Sequence, residues 1–180
     1  TNAGRVLETR GEFDAARTLY ESVLSTATLL ASRQPGDVQR QVDIADAHDS
    51  LGKIALEQGQ LAQAIAAYRD VHRIKAELSY RSPDDRDAVE RLLISNGILG
   101  RTLALCGARV DATIHVREAV GAASTLVAFD AKQADWRFWL GKYGLQLGSN
   151  ARGAGRLQEA AVHDGEALRI LSELVATDGT

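Results

Sequence analysis

A chain of 180 residues with 45% hydrophobic and 25% charged residues can bury one sizeable core or form a short array of repeats. Its formal net charge of −3 argues against a general nucleic-acid binder, and its single cysteine, Cys106, excludes an intrachain disulfide and a cysteine-based metal site. No apolar run approaches the ~18 residues that a membrane span requires, so no membrane partner is expected.

Strong helix formers dominate and β-branched runs are absent, so the elements read as helices throughout. A short helix is predicted near 2–10 and a longer one over 13–33. The next pair spans 38–58 and 61–81. Its first member spaces Ile44, Ala47, Leu51, Ala55 and Leu56 at helical intervals, and its second spaces Leu61, Ala64, Ile65, Tyr68, Val71 and Leu78 along one face. Gly59, between them, stands where a left-handed residue closes a helix. Ser82-Pro83-Asp84-Asp85 reads as a helix start, with Ser82 as N-cap and Pro83 in the first turn. Helices then follow at 85–106 and 110–129, and at 133–153 and 157–177. The half-length first helix and the lack of methionine are what a piece of a longer protein would show.

The pairs repeat. Ala3-Gly4, Leu51-Gly52, Leu99-Gly100 and Leu147-Gly148 stand 48 residues apart. Gly11, Gly59, Gly107 and Gly155 keep the same register, as do Ala16, Ala64, Ala112 and Ala160. Three columns in phase describe one repeat domain over 1–180, with units at about 1–34, 37–82, 85–130 and 133–178. Glycine inside a helix costs about 1 kcal/mol against alanine, so its recurrence implies close approach of backbones. Tyr20 and Tyr68 are expected to fill the gap toward the next hairpin. Asp164, in their column, suggests a polar capping unit at the end of the array.

His48-x2-Leu51-Gly52-x2-Ala55 followed by Ala64-x3-Tyr68 resembles the tetratricopeptide repeat, and Ala16-x3-Tyr20 repeats its second half. The unit is roughly 14 residues longer than the family's, and is similar to long bacterial repeats in which an acidic-Trp segment leads into the Leu-Gly helix, as at Asp135-Trp136. The resemblance implies an all-α, right-handed superhelical solenoid of about four antiparallel hairpins, whose first helices line a concave binding face. It implies a protein- or peptide-binding scaffold without catalysis or cofactor, working in the cytoplasm as part of a bacterial signalling or regulatory protein. The alternative is a ligand- or peptide-sensing domain of a transcription regulator or kinase.

Projecting that face onto this sequence nominates Asp49 and Lys53 in the second unit, Ile94, Ile98, Arg101 and Leu105 in the third, and Lys142 in the fourth. One column reads Arg5, Lys53, Arg101, Ser149, and cations in register could hold an acidic group. Their alternative is pairing with Asp49 and Glu57. The asparagine that a chaperone-type carboxylate clamp needs in that column is missing, so that clamp is rejected.

Trp136 reads as a core anchor. Trp139 has the polar column mates Asp43 and Arg91, which makes it either a partner-binding hot spot or a packing residue. His48, His72, His115 and His163 are expected to form no metal constellation, and no catalytic spacing or phosphate-cradling loop is present. Cys106 reads as a small buried residue. Self-association through the open first hairpin is a third reading.

Overall fold

The computed structural model describes residues 1–178, and every element among them is a helix. They are α1 (Asn2–Thr9), α2 (Phe13–Arg33), α3 (Val38–Glu57), α4 (Leu61–Arg81), α5 (Arg86–Leu105), α6 (Arg109–Phe129), α7 (Ala134–Gly153) and α8 (Leu157–Asp178). They fall into two compact units, Thr1–Arg81 and Ser82–Thr180. Each unit holds two helical hairpins: α1–α2 and α3–α4 in the first, α5–α6 and α7–α8 in the second.

Every hairpin turns on the same backbone device. Gly11, Gly59, Gly107 and Gly155 have φ between 71° and 82°, the left-handed region where a Cβ would be strained. In the second hairpin the Gly59 amide donates to the Leu56 carbonyl at 3.0 Å and the Gln60 amide to the Ala55 carbonyl at 2.7 Å. This is the Schellman closure, and it recurs at the other three turns, satisfying carbonyls that a helix end leaves open.

The helix starts are less uniform. Asp37 caps α3 by accepting from the amides of Gln39 and Arg40, and Asp85 caps α5 by accepting from Asp87 and Ala88. Asp85 therefore replaces Ser82 as the cap expected from the sequence. Ser82, Pro83 and Asp84 belong to a turn whose Ser82 carbonyl accepts from the Asp85 amide at 3.0 Å. The negative charge of a carboxylate strengthens its bonds from the amides and suits the positive end of the helix dipole, so the later acid sets the helix start.

The glycine columns work through the ring opposite. A Cβ on Gly4 would lie 2.4 Å from the Tyr20 ring, and one on Gly52 would lie 2.9 Å from the Tyr68 ring. Tyr20 and Tyr68 thus pack over the glycine of their own hairpin, and Tyr20 also packs with Ile54 of the next one, as expected. In the third hairpin Val116 takes the place of the ring, and a Cβ on Gly100 would come within 3.1–3.2 Å of the α6 backbone itself. In the fourth, Asp164 faces Gly148 and pairs with Arg152 at 2.5 Å. The acid is therefore held by its own hairpin, whatever follows it in the array.

Ala16, Ala64, Ala112 and Ala160 are all buried, the small surface that lets paired helices approach. The first unit packs Ala16, Tyr20 and Ile54 with Leu7, Phe13 and Leu51, and separately Ala45, Ile74 and Leu78 with Val42 and Ile44. The second unit has a larger cluster, with Leu93, Val116, Leu126, Trp136, Tyr143 and Leu147 among its members. Full burial of a side chain such as Leu93 or Ile54 contributes about 1.5–3 kcal/mol. Cys106, expected to be buried, is exposed. It is the C-cap of α5, one residue past the last turn of the helix, and its thiol donates to the Leu103 carbonyl at 3.1 Å.

Candidate functional site

The nominated residues do not form one set. Lys53 and Asp49 belong to the first unit; Ile94, Ile98, Arg101, Leu105, Trp139 and Lys142 belong to the second. Their surroundings differ enough to separate a structural role from a recognition role.

In the first unit the Lys53 ammonium donates to a Glu8 carboxylate oxygen at 2.6 Å, across from α3 to α1. The other Glu8 oxygen accepts from the Tyr20 hydroxyl at 2.7 Å. Burial raises the Glu8 carboxyl, but the hydrogen bonds from Lys53 and Tyr20 and the charges of Lys53 and Arg5 outweigh it and hold the group below the usual carboxylate value. Lys53 is thereby neutralised by a residue that the repeat columns did not nominate. Asp49 is half-buried, and desolvation together with Asp46 and Glu8 pushes its carboxyl up against the pull of Lys75 and Lys53.

The second unit builds a different surface. Along α5 the columns that carry Asp46, Asp49 and Glu57 in α3 hold Ile94, Gly97 and Leu105 instead. Gly97 leaves room for the Tyr143 ring of α7, whose ζ carbon would lie 2.0 Å from any Cβ there. The ring is 3% exposed, and burial pushes its hydroxyl up to about 12, against a small opposing pull from Arg101. Trp139 stacks on Tyr143 with centroids 5.6 Å apart and 16° between planes. Phe138 meets Trp139 edge-on at 5.5 Å. These offset and edge geometries are the favourable ones for aromatic pairs.

The Lys142 ammonium lies 4.4 Å from the Trp139 centroid and 5.8 Å from that of Phe138. Burial, and then the positive charge of Arg101, lowers the lysine from its ordinary value. Arg101 itself is exposed, and among the described residues neither it nor Lys142 is paired with a carboxylate.

The structure therefore sets Lys142 over Trp139, and sets Ile94 and Trp139 against the same core cluster. Ile98 is half-buried and Leu105 is 60% exposed, continuing the apolar surface along α5. Trp139 is half-buried, with one face on Tyr143. Trp136 is the core anchor expected, and its indole N–H donates to Glu90 at 3.0 Å.

Sequence reasoning missed Tyr143 as the organiser of this surface. The available signal was Gly97, a helical glycine outside the repeat's own glycine column, which implies a large neighbour from another hairpin.

No protein family and no curated protein matches this chain. Among solved structures it is similar to MamA, at 16% identity over 96% of each chain with a TM-score of 0.39. It is also similar to a thermophilic TPR protein of Thermus thermophilus, at 19% identity over 97% of this chain and 95% of that one, with a TM-score of 0.37. BtubC from P. vanneervenii follows at 14% identity over 93% of each, with a TM-score of 0.32. Likenesses at TM-scores below 0.5 add nothing to what the repeat columns and the helix pairing already show.

Proposed function

We propose that this chain is a protein- or peptide-binding module of helical hairpins, without catalysis of its own, which presents the α5–α7 surface of its second unit to a partner. The observation that carries this reading is the preassembled stack of Phe138, Trp139 and Tyr143 with the Lys142 ammonium over it. Tryptophan and arginine are the residues most often found to dominate binding energy at interfaces. A surface whose rings are already fixed by packing loses little entropy when a partner docks. Its setting in a cytoplasmic signalling or regulatory protein of a bacterium follows from the sequence resemblance to long bacterial repeats.

A photo-crosslinking residue at Ile98 tests this. It is expected to capture a discrete polypeptide in the cell of origin, with capture abolished by Trp139→Ala. Equal capture from Val175, an exposed position on α8, would mean that the wrong surface has been chosen.

A groove in the first unit favours a second reading. It encloses about 430 Å³ and is lined by Tyr20, Val23, Ala27 and Leu30 of α2 with Asp43, Asp46 and Ser50 of α3. Self-association through this groove would give a dimer mass in solution that Val23→Glu reduces to the monomer. A monomer mass for the unaltered chain at high concentration removes it.

A further inference from the structure

We propose that the groove between α2 and α3 in the first unit is a seat for a short amphipathic helix of another polypeptide. The apolar side of that helix lies on Val23 and Leu30, and a basic residue beside it meets Asp46. The proposal goes beyond the α5–α7 surface, and it gives the groove to a partner helix in place of a second copy.

The second hairpin shows what such a seat holds. There the first half of α3 lies against the second half of α4, and Val42, Ile44 and Ala45 pack with Ile74 and Leu78. Val71, Ile74 and Leu78 are at most 6% exposed as a result. Their column mates on α2 are Val23, Thr26 and Leu30, which line the groove instead. Thr26 is exposed, and Val23 and Leu30 are half-buried. The difference lies opposite them: α1 has 8 residues where α3 has 20. What fits the groove is therefore about three helical turns, roughly 18 Å at 1.5 Å per residue. Its apolar residues would stand three apart, as Val42 and Ala45 do.

Charge selects among such helices. The α3 wall carries Asp43 and Asp46, one turn apart. Asp43 is matched by Arg40 of its own helix at 3.3 Å. Asp46 is exposed and has no cation partner among the described residues. An unmatched acid beside an apolar floor attracts a helix with Lys or Arg next to its stripe and repels one with Asp or Glu there. A second copy of this chain offers only a surface, because each described helix is already packed against its hairpin neighbour. A free segment this short is marginal as a helix in water, so it folds as it docks.

The test titrates the whole chain with two labelled alanine-based peptides of about 12 residues, the length of the three turns. Both carry the same stripe of valines, flanked by lysines in one and by glutamates in the other. The lysine peptide is expected to bind and to become helical by circular dichroism, and the glutamate peptide to bind about tenfold more weakly. Asp46→Lys should reverse that preference. Val23→Gln should abolish binding while the chain keeps its own helical signal, and Trp139→Ala should change nothing.

Equal binding of the two peptides would overturn the proposal, as would no binding of either. Binding that survives Val23→Gln but is lost with Trp139→Ala would overturn it and leave the α5–α7 reading standing. A dimer mass for the chain alone would give the groove to a second copy and overturn it as well.

Discussion

Lys53 and Arg101 share one repeat column, yet the two units treat them oppositely. In the first unit α1 brings Glu8 to Lys53, and Tyr20 braces the carboxylate from behind, so the cation joins two helices. In the second unit α5 has exchanged the acids of its inner columns for Ile94, Gly97 and Leu105, and Tyr143 takes the space that Gly97 vacates. The same position therefore serves cohesion in one place and presents charge to solvent in the other. A repeat preserves the scaffold, while the residues that depart from its columns decide what each surface can bind.

The largest expected effect comes from refilling the space over Gly97. A Cβ there would lie 2.0 Å from a ring that is buried and cannot swing aside, so Gly97→Val should cost about 3 kcal/mol in urea denaturation. Gly121 is an exposed helical glycine of α6 with nothing within 4 Å of its Cβ position. Gly121→Ala should gain up to about 1 kcal/mol, and equal losses at both glycines would refute the role given to Tyr143.

Next in size is Trp139→Ala, expected to weaken a peptide bound at the α5–α7 surface by about 2 kcal/mol in a fluorescence titration. Lys53→Ala should leave the same titration within about twofold, because its charge is already committed to Glu8. Comparable losses from the two substitutions would erase the distinction between the units.

Smaller is the effect of Glu8→Gln, which breaks the pair in the first unit. Lys53 is 57% exposed, so solvent screening limits the loss to about 0.5–1 kcal/mol. The carboxyl is lowered in the folded chain, so its stabilisation is complete above its ordinary value near 4.5 and disappears as pH falls through the lowered folded value. Glu8→Gln should flatten that part of the pH–stability curve.

The smallest effect is expected at Asp49, and its sign is opposite. Its carboxyl is raised by burial, so the ionised form destabilises the folded chain above the folded value, and the penalty vanishes below the ordinary 3.8. Asp49→Asn should therefore raise the melting temperature slightly at neutral pH and not at all in acid. A lower melting temperature at neutral pH would show that the carboxylate is a net attraction.

Much of the fold is legible in the sequence because its rules are local. The helix predicted over 13–33 is α2 residue for residue, and that over 61–81 is α4. The four turn glycines fall in the left-handed region, as their spacing implies. The start of α5 misleads because Ser82-Pro83 is a good local start signal, and Asp85 a stronger one three residues later. Cys106 misleads because an apolar neighbourhood in sequence says little about a residue at the rim of a turn. At the site, the departures of Arg101 and Trp139 from their columns are visible in the sequence. The contact across hairpins beneath them is not, because column arithmetic compares equivalent positions and says nothing about residues that meet out of register, as Gly97 and Tyr143 do.

By itself, the sequence determined the helical hairpins, their glycine turns and their alanine seams, since helical period and left-handed glycine are properties of a few adjacent residues. Only the tertiary structure decided which cation is neutralised and which stays open. Lys53 meets Glu8 across 45 residues of chain, whereas Arg101 faces no such acid among the described residues, and Gly97 meets the Tyr143 ring from the next hairpin. Such meetings depend on how one hairpin packs against the next, and a charge is open or neutralised according to what that packing brings within about 4 Å.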